Sequence, residues 1–98
     1  MKVYLIINEE GKYKIGFSSR EIKKRIKELQ TGSHSAMHVV QEYESDNARQ
    51  IETIMHRSLR SKRISGEWFE LTDEEALDFT NRCKKIDDNI TYLKDNKI

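Results

Sequence analysis

Four polar side chains interrupt apolar surroundings in this chain: Tyr4 in "VYLII", Lys14 in "YKIGF", Arg25 in "KKRIKEL" and Glu52 in "RQIETIM", with His56 four residues after the carboxylate. Their types complement one another. A phenol and an amine can each give up or take a proton, and a guanidinium is a permanently charged planar fork that fits two phosphate oxygens. A carboxylate is a hard oxygen donor suited to Mg²⁺, which keeps most of its waters, so one acidic residue suffices to hold it. Each residue taken alone has a plainer reading: a packing tyrosine, a lysine that protects a sheet edge, a charge on a helix surface. Only their convergence on one site would make them chemical.

The elements that must bring them together can be read from pattern. "VYLIINEEGKYKIGF" reads as two strands around a three-residue loop, Glu9-Glu10-Gly11, with Gly11 in the left-handed conformation. That loop pairs Asn8 with Lys12, so Ile6 faces Lys14 and Tyr4 faces Gly16. One side of the hairpin then carries Val3, Leu5, Ile7, Tyr13, Ile15 and Phe17, and the other collects Tyr4, Lys14, Gly16 and Ser18. "SSREIKKRIKELQTG" has Ile22, Ile26 and Leu29 at helical spacing between a serine start signal and Gly32, and places Arg25 at the border of the apolar stripe.

"HVVQEYES" is expected as a third strand, and a second helix, capped by Ser45 or Asp46, carries Ala48, Ile51, Met55 and Leu59 inward to about Lys62. Glu52 and His56 project from one side of that helix. "GEWFEL" suits a short strand, with Trp68 and Phe69 closing the core beneath the site. Thr72 with Glu75 forms a capping box for a last helix whose seam is Ala76, Phe79, Cys83, Ile86, Ile90 and Leu93. The expectation is an α+β fold: a small antiparallel three-stranded sheet flanked by helices, with a core over residues 1–71 and a long C-terminal helix over 72–98. That helix either covers the core or pairs with another copy as a homodimer.

The order Tyr4, Lys14, Arg25, Glu52, together with "YKIGFSS", "REIKKRIKELQTG", "IETIMHRSL" and "GEWFEL", resembles the GIY-YIG nuclease superfamily over roughly residues 2–71. The likeness is to the phage and bacterial branch whose second motif reads Lys-Ile-Gly. In the first motif Lys-Val-Tyr stands for Gly-Ile-Tyr, so only Tyr4 carries over, and Lys14 stands where other branches have a second tyrosine. The resemblance implies an endonuclease that cuts phosphodiester bonds in DNA with one divalent cation, Mg²⁺ or Mn²⁺, held by Glu52, and with Tyr4, Lys14, Arg25, Glu52 and His56 as catalytic residues.

Physical roles follow for such a reaction. Glu52 holds the cation, Arg25 grips the phosphate, and a water must lose a proton. A free phenol, with a pKa of about 10, is a poor base at neutral pH. Either the Lys14 ammonium favours the Tyr4 phenolate, or a desolvated Lys14 is itself the base. Gly16 leaves room for the phosphate, Ser18 either contacts it or caps the first helix, and Arg20, Lys24, Arg57 and Arg60 supply non-specific phosphate contacts.

Composition is consistent with this. Net charge is only +1, yet residues 1–66 carry thirteen Lys/Arg against eight Asp/Glu, while 67–98 carry five against nine. The basic part is where a polyanion would bind. The single Cys83 forms no intrachain disulfide and the apolar run Val3 to Ile7 is too short for a membrane span, which points to the cytoplasm. No appended recognition domain is evident, so low sequence specificity is expected. Two other readings fit less: a nucleic-acid-binding module of the same fold with weak or no catalysis, and a scaffold that dimerises through its last helix.

Overall fold

The structure is a computed structural model and describes residues 1–19, 24, 26–28 and 36–96. Its elements in chain order are β1 (Lys2–Asn8), β2 (Tyr13–Ser18), β3 (Met37–Glu44), α1 (Ala48–Ser58), a 3₁₀ turn (Arg60–Lys62), β4 (Arg63–Ser65), β5 (Trp68–Phe69), α2 (Asp73–Leu77) and α3 (Phe79–Asp95). Residues 24 and 26–28 are helical. The rest of the expected first helix, including Arg20, Ile22, Arg25, Leu29 and Gly32, lies outside the described residues.

The hairpin has the register its turn dictates. Gly11 sits at φ +77° and donates to Asn8 O at 3.1 Å, while Asn8 donates to Lys12 O at 3.0 Å. The loop length then fixes Tyr4 opposite Gly16 and Ile6 opposite Lys14. β1 lies between β2 and β3 and is covered on both faces. Val3 and Leu5 join the main core with Tyr13, Ile15, Ile51, Met55, Phe69 and Phe79, and Tyr4 and Ile6 form a smaller cluster with Met37, against which Ile26 and Trp68 pack. Two-sided burial explains why "VYLII" is apolar almost without interruption.

The sheet has five strands, not three, in the order β3-β1-β2-β5-β4, and all pairs are antiparallel. The addition is a short β4–β5 hairpin on the outer edge of β2, which sets Phe69 against Tyr13 and Trp68 against Lys14. Strands of two or three residues carry too little alternation to announce a pairing partner.

Two helix boundaries also differ from the pattern reading. α1 ends at Ser58 and gives way to the 3₁₀ turn. Its N-cap is Asn47, which makes no side-chain cap bond; its amide instead donates to Asp87 Oδ1 at 2.8 Å, while Ser45 Oγ accepts from the Asn47 backbone N–H at 2.9 Å. The last helix keeps the Thr72–Glu75 capping box but breaks at Asp78 into α2 and α3. Gln41 on β3 serves the break, accepting from the Thr80 N–H and donating to Leu77 O, both at 3.1 Å. The seam covers the core as far as Ile90, whereas Leu93 is 67% exposed. Among the described residues no helix is long and apolar enough to cross a membrane.

Candidate active site

β2 carries the centre of the site. Tyr4 lies across the backbone of Gly16, so that a β-carbon built there would stand 2.6 Å from Tyr4 Cζ. Glycine is therefore required by the tyrosine itself: the room above Gly16 is taken by the phenol, which is only 1% exposed. Ser18, at the end of the strand, is buried.

Lys14 shares this face of the sheet. Its ammonium reaches Glu67 Oε2 at 2.7 Å and lies 5.5 Å from the centre of the Trp68 ring, and its side chain is 12% exposed. A lysine so far removed from water needs an anion beside it, and the ring face adds a further attraction. Both partners come from the β4–β5 hairpin. Ile15 N–H donates to Glu67 O at 3.2 Å, which ties the start of β5 to the strand that carries the lysine.

Because β5 is two residues long, the Ile15 carbonyl finds its partner elsewhere. His56 Nε2 donates to it at 2.7 Å, which in the neutral ring leaves Nδ1 as the bare nitrogen. The ring also stands edge-on to Phe69, with centroids 4.9 Å apart. α1 is thereby seated on the edge of β2, and Glu52, one turn earlier, comes with it. Glu52 Oε1 lies 3.7 Å from His56 Nε2, and among the described residues the carboxylate receives no hydrogen bond. Burial raises its pKa; His56, Lys14 and Arg49 pull it back, while the Glu67 charge pushes it further up. Glu52 is thus a carboxylate short of positive charge, a fit for a hard cation that brings its own water and phosphate ligands. No group of three or more His, Cys, Asp or Glu could hold a metal among the described residues.

Tyr4, Lys14 and Gly16 thus share one face of the β1–β2 pair, and α1, packed on the other face, brings Glu52 and His56 to β2 within electrostatic reach of Lys14. Arg57 and Arg60 are exposed at the end of α1 and in the turn after it, and Lys24 is exposed on its helix. Arg20 and Arg25 lie outside the described residues. The pattern reading passed over Glu67, whose place beside Lys14 depends on the β2–β5 pairing; Trp68 packs on the smaller core cluster as expected and in addition turns its ring to the lysine. A cavity of about 480 Å³ lined by Met1, Arg49, Gln50, Thr53 and Ile54 contains none of these side chains.

A family model described as the T5orf172 domain matches residues 1–84, a span that holds every site residue above. The chain belongs to the T5orf172 domain family. This family is nuclease-related, so a nuclease-like or DNA-binding module is the class to which the site must be fitted. No curated protein and no solved structure matches the chain.

Proposed function

We propose that this T5orf172 domain is a metal-dependent endonuclease of the GIY-YIG type that hydrolyses phosphodiester bonds in DNA with little sequence preference of its own. The observation that carries the reading is that Glu52 and His56 stand against β2 within electrostatic reach of Lys14, with Tyr4 crossing Gly16 on the same strand pair.

Glu52 is the residue to hold Mg²⁺ or Mn²⁺. The bound cation would neutralise charge on the phosphate and stabilise the departing oxygen. Lys14, paired with Glu67 at 2.7 Å, is placed to stabilise negative charge. Tyr4 is the candidate base for the attacking water. His56 ties α1, and Glu52 with it, to β2 through Ile15 O. Arg25 is assigned to a phosphate oxygen from the family resemblance. Exposed Lys24, Arg57 and Arg60 add salt-sensitive, sequence-independent affinity.

One observation favours a second reading, a DNA-binding module of the same fold with little catalysis: the Tyr4 phenol is almost wholly buried. Plasmid nicking with Mg²⁺ or Mn²⁺ decides between the two. The expected result is nicking by the wild type and a loss of roughly 10²- to 10³-fold in Glu52→Ala and Lys14→Met, the range for removing one group that stabilises developing charge. Wild-type protein that shifts DNA but nicks it no faster than both variants establishes the binding module instead.

A further inference from the structure

The Lys14 ammonium is faced by two carboxylates with different surroundings. Glu67 is 39% exposed and in direct contact with it, whereas Glu52 is 15% exposed and feels the lysine only through space. A lysine this desolvated does not stay unpaired. Among the described residues, the other carboxylate whose charge is felt by Lys14 is Glu52, so removing the Glu67 charge leaves Glu52 as the partner within reach. A Lys14–Glu52 pair would occupy the carboxylate oxygens that the cation needs and would take the ammonium away from the phosphate.

We infer that Glu67 is a positioning residue: it clamps Lys14 against the Trp68 ring and so keeps the ammonium and the Glu52 carboxylate apart. The clamp is built for this. Glu67 is the residue just before β5, its carbonyl is fixed by Ile15 N–H, and Trp68 is the cross-strand partner of Lys14, so the pairing of β5 with β2 brings both the carboxylate and the ring to the amine. The inference rests on the hydrolase reading for its kinetic consequence and is independent of it for its geometric one.

The test uses Glu67→Gln, Glu67→Asp, Lys14→Gln and the double variant Lys14→Gln/Glu67→Gln in the full chain. Trp68 is the single tryptophan, so intrinsic fluorescence reports on the clamp without DNA or metal. Glu67→Gln is expected to change the Trp68 emission and to lower kcat for nicking by about tenfold or more, with KM no higher, as for lost partners that orient a reacting group. Glu67→Asp, which keeps the charge on a shorter arm, restores most of the lost kcat. On the Lys14→Gln background, Glu67→Gln changes neither the emission nor kcat, because the residue acts through the lysine.

Wild-type kcat in Glu67→Gln, or an equal loss on the Lys14→Gln background, overturns the inference. Should wild-type protein nick no DNA, the emission cycle decides alone: a change that requires Lys14 supports the clamp while the hydrolase reading fails, and a change that persists without Lys14 overturns the clamp.

Discussion

Asp87 and Glu52 are two carboxylates drawn out of water within one small domain, and their surroundings push their protonation in opposite directions. For Asp87, burial would raise the pKa, but hydrogen bonds from Asn47, Tyr43 and Ser45 outweigh it and hold the group below the usual range. Tyr43 OH donates to Oδ2 and Asn47 Nδ2 to Oδ1, both at 2.8 Å, and Lys94 Nζ in turn donates to Asn47 Oδ1 at 2.6 Å. The phenol responds in kind: burial, then the bond to Asp87, push Tyr43 up to about 12. Glu52 has no donor of that kind among the described residues, only a histidine at 3.7 Å, and burial leaves its pKa raised. A carboxylate whose lone pairs are filled from within the fold is a fastener, here of α3 to β3 and the start of α1. A half-buried carboxylate with no hydrogen-bond donor among the described residues has room for a partner from outside the fold.

Breaking the fastener should have the largest effect on stability. Asp87→Ala leaves Tyr43 OH and Asn47 Nδ2 without their acceptor and is expected to cost about 2.5 kcal/mol in denaturant unfolding, within the range for part-buried hydrogen bonds to a charged group. Nicking measured well below the melting temperature is expected to be unchanged, because the network touches no residue of the site. Acid sharpens the contrast. The folded pKa of Asp87 lies below its ordinary value of 3.8, so its contribution is complete above that value and is lost as pH falls through the folded one. Asp87→Asn is expected to lack this part of the acid destabilisation. An alanine variant as stable as wild type would remove the distinction between the two acids.

Gly16→Ala tests the site face without touching either acid. The new β-carbon would meet the Tyr4 ring, which belongs to a buried cluster with Ile6 and Met37 against which Ile26 and Trp68 pack. A cost of about 1.5 kcal/mol is expected, within the range for overpacking, together with a loss of nicking as the phenol is displaced. Retention of both stability and activity would mean that the close approach of Tyr4 to Gly16 positions nothing.

The hairpin was legible in the sequence because turn and strands agree: Gly11 fixes the loop, the loop fixes the register, and the register puts Tyr4 on Gly16 and Lys14 two pairs further along on the same face. The capping box at Thr72 was legible for the same reason, since both partners lie within one turn. What could not be read depends on contacts distant in sequence. The two-residue β5 pairs with β2 only in three dimensions, so the Lys14–Glu67 contact has no local signature. The break at Asp78 contains neither glycine nor proline and is served by Gln41, which lies 36 residues before Leu77. Asn47 gave no sign that its side chain would turn from capping α1 to holding Asp87. The site was thus readable where strand periodicity aims side chains, and unreadable where another element comes to meet them.

The smallest expected effect has the opposite sign to that of Asp87 and bears most directly on function. Glu52→Gln keeps the shape of the side chain and removes its charge. The folded pKa of Glu52 lies above its ordinary value of 4.5, so the native state binds the proton more tightly than the unfolded chain does. Below 4.5 both states are protonated and the group contributes nothing. As pH rises from there through the folded value, the unfolded chain ionises first, and wild-type stability declines until both are charged. Glutamine never ionises. The variant is therefore expected to match wild type in acid and to be slightly more stable at neutral pH, by less than the Asp87→Ala loss, while nicking is abolished. A stabilising substitution that destroys activity is the mark of a charge kept for a ligand. Should Glu52→Gln prove less stable than wild type at neutral pH, Lys14, His56 and Arg49 already satisfy the carboxylate, and no unmet demand for a cation exists at the edge of β2.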